Sequence, residues 1–134
     1  MIKKFLPVLV ALFFVNALSA QSFNAQAATD ELATVYKLDD NQKAEMLTIQ
    51  QRKARNLSEI AGLASTDKAT YVQKLKAVQY GTDASIKRML NKEQMEVYYE
   101  QVKIKRQKDA ELMSKLKAEG KTPQEIQEAL AQPY

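Results

Sequence analysis

The sequence predicts an all-α protein: three long amphipathic helices followed by a short C-terminal one. Two observations carry this. Apolar residues recur with a period near 3.6 over three long stretches, and no stretch alternates as a strand would. Helix-start signatures, a short polar residue with Gln or Glu three positions on, stand at Asp39, Asn91 and Thr122, and so divide the chain.

Residues 1 to 27 read as a secretory signal peptide, with Lys3 and Lys4 as its positive start and Phe5 to Val15 as an apolar run of 11 residues. A run of that length is too short to span a bilayer. Ala25-Gln26-Ala27 fits the small-x-small cleavage rule, with cleavage after Ala20 as the alternative. Removal of 27 of the 134 residues leaves 107, one helical domain over 28–134, and losing Lys3 and Lys4 lowers the formal charge from +4 to +2. A nearly balanced surface argues against nucleic acid as a partner. With no cysteine there is neither a disulfide nor a site for lipid attachment, so the expected product is a periplasmic protein without a stable membrane anchor, held together by packing alone.

Within the mature chain, residues 28–36 are small and polar and read as a flexible arm. The first helix runs from Asp39 to about Ala64, with Met46, Leu47, Ile49, Ala54, Leu57, Ile60, Ala61 and Ala64 on one face. Gly62 and Ser65-Thr66-Asp67 break it. The second runs from about Asp67 to Met89, its stripe made by Tyr71, Val72, Leu75, Val78, Thr82, Ile86 and Met89, with Asp83 and Lys87 as an i,i+4 pair. The third starts at Asn91 and reaches about Glu119, where Gly120 is placed to close it in a left-handed conformation. Its stripe is Met95, Tyr98, Tyr99, Val102, Met113 and Leu116, and Glu111 with Lys115 is its i,i+4 pair. Thr122-Pro123-Gln124-Glu125 opens the short last helix through Ile126 and Leu130, which Pro133 ends.

The chain is organised around a repeat: Leu38-Asp39-Asp40-Asn41-Gln42 returns 52 residues later as Leu90-Asn91-Lys92-Glu93-Gln94. Asp39 and Asn91 are suited to accept a backbone N–H as N-caps, and Gln42 and Gln94 to reach back to the cap's own N–H. Leu90 can staple onto Met95, whereas Leu38 faces Lys43. Two such motifs in a small exported helical protein resemble the LTxxQ motifs of the Spy and CpxP family of periplasmic chaperones and stress regulators. The resemblance covers roughly Tyr36 to Met113, and departs from the family where Asp39 and Asn91 replace threonine. A chain of this size needs a compact bundle or a partner subunit to cover its stripes. The resemblance implies the second: a cradle-shaped antiparallel homodimer whose concave face meets unfolded or partner proteins.

The chemistry available is narrow. The absence of histidine and cysteine removes the commonest general base, thiol nucleophiles and the usual transition-metal ligands. Asp39 and Asp40 sit where helix starts favour acids, and Gly62, Gly81 and Gly120 are too scattered for a phosphate loop. Met46, Met89, Met95 and Met113 fall on helix stripes without i,i+3 or i,i+4 pairing, so they read as core, not as a copper site. No enzyme, metal or cofactor is therefore expected. The densest charge is Lys103-Ile104-Lys105-Arg106-Gln107-Lys108. With Met95 at zero, Val97 lies at about 200° and Ile104 at about 180°, and Lys108 and Lys115 follow at about 220° and 200°. This strip on the back of the third helix is the candidate surface for an unfolded client, or equally for a dimer partner. The sequence thus reads as an exported chaperone-like or envelope-stress accessory protein acting without nucleotide. An adaptor for one envelope partner is the alternative, and a metal-responsive sensor is a third class.

Overall fold

A computed structural model describes residues 23–132, and the charged start and apolar run of the expected signal peptide, like Pro133, lie outside the described residues. The described chain is helical without strands: α1 (Ala25–Tyr36), α2 (Asp40–Ile60), the single turn α3 (Leu63–Thr66), α4 (Lys68–Met89), α5 (Lys92–Ala118) and α6 (Pro123–Ala131). Three long helices and a short last one stand where the periodicity places them. The first is interrupted after Ile60, next to Gly62, and resumes for the one turn of α3.

The expected arm over 28–36 is instead most of α1. Asn24, in extended conformation, accepts the Ala27 N–H and caps the helix, and Thr29, Leu32, Ala33 and Tyr36 form an i, i+3, i+4, i+7 face. Thr29 and Tyr36 are buried, because α1 packs against both α2 and α5. Lys37 closes α1 in the left-handed conformation at φ 51°, and this reversal turns Leu38 into the core.

Two apolar clusters hold the elements. The first gathers Tyr36 and Leu38, Met46 and Ile49 of α2, Ile86 and Leu90 at the end of α4, and Tyr98 of α5. Both motif leucines are in it, Leu38 as fully as Leu90, although only Leu90 has an apolar residue to staple. The second joins Ile60 of α2 to Val72 and Leu75 of α4 and Ala131 of α6, with Leu57, Leu63, Tyr71 and Val78 at its margin. Between the clusters, Gln50 is buried on α2 and donates to Met46 Sδ at 3.4 Å, and Arg52 donates to Ser85 Oγ of α4 at 2.6 Å.

α5 leaves α4 at the Leu90-Asn91 corner and ends at Gly120, whose φ of 75° fits the left-handed turn; there the Gly120 and Lys121 amides bond back to Lys117 and Leu116. A capping box at Thr122 and Glu125 then starts α6, which returns to the first half of α4. Lys68 pairs with Glu128 at 3.0 Å, and Gln79 donates to the Ala131 carbonyl at 3.4 Å. Thus α6 ties the far end of α5 back to the body.

Candidate functional site

The repeated motifs meet in space. Asp39 Oδ1 accepts the Gln42 N–H at 2.8 Å while Gln42 Oε1 accepts the Asp39 N–H at 3.2 Å, and Asn91 and Gln94 repeat the arrangement at 2.9 Å in both directions. Beyond its own box, each glutamine amide reaches the other: Gln42 Nε2 donates to Gln94 Oε1 at 2.7 Å, and Gln94 Nε2 to Gln42 Oε1 at 2.9 Å. Gln42 Nε2 also lies 3.3 Å from the Met89 carbonyl. Gln94 is buried and Gln42 half-buried, so this reciprocal pair locks the N-termini of α2 and α5 together at the corner. It is a structural node, in which the amide oxygen and nitrogen of both glutamines are hydrogen-bonded.

Next to the node, Asp83 of α4 organises two phenols. Tyr98 donates its hydroxyl to Asp83, 2.7 and 2.8 Å from the two carboxylate oxygens, and Lys87 lies 5.7 Å from the centre of the Tyr98 ring. Burial first, then the hydrogen bond and negative charge of Asp83, push the Tyr98 phenol well above its ordinary range. Tyr36 is raised by burial and by the same charge. Lys87 thus faces Tyr98, and the simple Asp83–Lys87 helix pair read from spacing is replaced by a contact between helices.

Beyond Tyr98, α5 has no fully buried residue: of its 27 residues only Gln94 and Tyr98 are buried, while Val102, Leu112, Met113 and Leu116 are half-buried and Val102 packs on the first core. Two open grooves flank it. One, of about 690 Å³, is lined by Tyr98, Tyr99, Val102, Lys87, Lys103 and Arg106. The other, of about 380 Å³, separates α5 from the remaining long helices and is lined by Phe23 and Leu32, Lys53, Asp83 and Ile86, and Ile104, Lys105 and Lys108. In the second groove Lys53 Nζ sits 4.6 Å from the centre of the Phe23 ring, and burial pulls its pKa below the usual lysine range.

The strip proposed from helical angles divides on this framework. Val97 is half-buried and packs on the first core, Ile104 is 41% exposed at the second groove with Lys108, and Lys115 is exposed further along. Val97 therefore does not belong to a free surface. The angles are sound, but α1, read as an arm, is a helix that brings Leu32, Ala33 and Val35 to the same core on which Val97 packs. Conversely Tyr99, placed on the core stripe, is 61% exposed, stacked edge-on to Tyr98 at 5.7 Å. Sequence reasoning missed Tyr99 as surface because α4 and α5 diverge past the corner, whereas Arg106, in the basic run, is exposed as a charged helix face should be.

Among the described residues no group of three or more acidic, histidine or cysteine side chains could hold a metal, and no helix is long and apolar enough to cross a membrane. Compared with known protein families, curated proteins and solved structures, the chain matches none of them.

Proposed function

We propose that the chain is an exported, non-enzymatic protein-binding protein of the Spy and CpxP type, a chaperone or envelope-stress accessory that works without nucleotide. The observation that carries this reading is the openness of α5, where Tyr99 and Ile104 stand exposed among Lys103, Lys105, Arg106 and Lys108 along the two grooves. Small apolar surfaces give modest, sequence-tolerant affinity, and the surrounding cations speed encounter with unfolded or acidic segments. The interlocked motifs support the same reading, since they join two helix starts into one rigid corner from which α5 is presented. A second copy packed on α5 would complete a cradle-shaped dimer, as the resemblance implies.

The test is aggregation of several unrelated unfolding clients with the protein at near-stoichiometric ratios, run with sizing. Protection of all of them, reduced by a Tyr99→Ser/Arg106→Ser double variant that keeps its melting temperature and size, supports the proposal. One tight partner in a pull-down, without general protection, would assign the chain instead as an envelope adaptor. A double variant that loses its dimer size would assign the groove to the second copy.

A further inference from the structure

The leader offers two cleavage positions, and α1 distinguishes between them. Ala25-Gln26-Ala27 fits the small-x-small rule better, yet these residues are the first turn of α1. Asn24 Oδ1 accepts the Ala27 N–H at 2.9 Å, and the Asn24 carbonyl accepts the Ala28 N–H at 3.1 Å. Ala25 provides the carbonyl that accepts the Thr29 hydroxyl at 2.7 Å, and Thr29 is 3% exposed. One residue before the cap, Phe23 packs its ring against Lys53 and walls the second groove.

Cleavage after Ala27 removes all of this. It deprives α1 of its cap, leaves the buried Thr29 hydroxyl without its acceptor, and sets a new ammonium group at the positive end of a helix. It also uncovers Lys53. Cleavage after Ala20 keeps every one of these contacts. Ala20 is small, preceded by Ser19, and stands five residues beyond the apolar run that ends at Val15. Only Leu18, two residues before it, fits the cleavage rule less well than Ala25 does.

We propose that export processing cuts after Ala20, so that the mature chain begins Gln21-Ser22-Phe23-Asn24 and carries into the folded protein both the cap of α1 and the aromatic wall of the second groove. This rests on the exported reading above, and it makes the processing site a determinant of the surface offered to clients. The full-length chain, expressed in a bacterium with a periplasm and fractionated, should yield a periplasmic product whose intact mass begins at Gln21, with or without loss of ammonia from that residue. Ala20→Leu should abolish processing and accumulate precursor, while Ala27→Leu should be processed as the parent is. A product beginning at Ala28, or a block by Ala27→Leu and not by Ala20→Leu, overturns the inference and leaves export intact. An unprocessed chain retained in the membrane fraction overturns the exported reading itself, and this inference with it.

Discussion

At the scale of single residues, the corner depends on two neutral amides. Each glutamine oxygen accepts both its own cap N–H and the opposite amide N–H, so removing one side chain orphans groups on both helices. Gln94→Ala should cost about 1 to 3 kcal/mol, the range for leaving partners of a buried polar group unsatisfied. Gln42→Ala in that background should then cost less than it does alone, because part of what it removes is already gone. Urea denaturation of the three variants measures both terms. The capping roles are readable from the motif spelling; that the two glutamines meet is not, since residues 52 apart are brought together only by the tertiary fold. Tyr98 gives a pH signature. Its phenol is raised in the folded state, so its contribution to stability is whole below the ordinary phenol range, about pH 10. It is lost as pH rises from there toward the folded value, because the unfolded chain ionises first. Tyr98→Phe should lower stability by about 1.5 kcal/mol at neutral pH by removing the bond to Asp83. It should also flatten the alkaline loss followed by thermal melting, with Tyr36 leaving a residual slope.

At the scale of elements, the boundaries follow local chemistry closely. Asp39, Asn91 and Thr122 open α2, α5 and α6 with complete capping boxes, and Gly120 ends the turn after α5. α1 is the exception, and its signal was present. Asn24 and the Thr29, Leu32, Ala33, Tyr36 spacing mark a helix, but reading the mature chain from residue 28 discards the cap and leaves a segment that looks merely small and polar. The error propagates, because Tyr36 of α1 belongs to the core on which Val97 packs, and without α1 that core is incomplete. Two glycines test the backbone account in opposite directions. Gly81 lies inside α4 with open space where a side chain would go, so Gly81→Ala should raise stability by about 0.5 to 1 kcal/mol. Gly120 has positive φ, so Gly120→Ala should lower it by about 1 to 2 kcal/mol despite equal room. Denaturation midpoints at unchanged slope check both.

At the scale of the molecule, two cores hold α1, α2, α4 and α6 to one another, while α5 is fixed only at its first turns and, through α6, at its far end. The stripe that periodicity assigns to α5 is therefore only half used: Tyr98 is buried, and Tyr99 is turned outward. Hydrophobic spacing states which residues share a face, but whether that face is covered depends on how helices diverge beyond a corner, which no local pattern encodes. The sparsely covered length of α5 is the surface that the proposed protein partner would occupy. A photo-crosslinking aromatic side chain placed at Tyr99 and, separately, at Tyr80 of α4 tests this most directly, since both residues are exposed, at 61% and 74%, and only Tyr99 lines a groove of α5. With unfolding clients present, the account predicts client adducts at Tyr99 and few at Tyr80. Equal labelling at the two positions, or labelling confined to Tyr80, would contradict it.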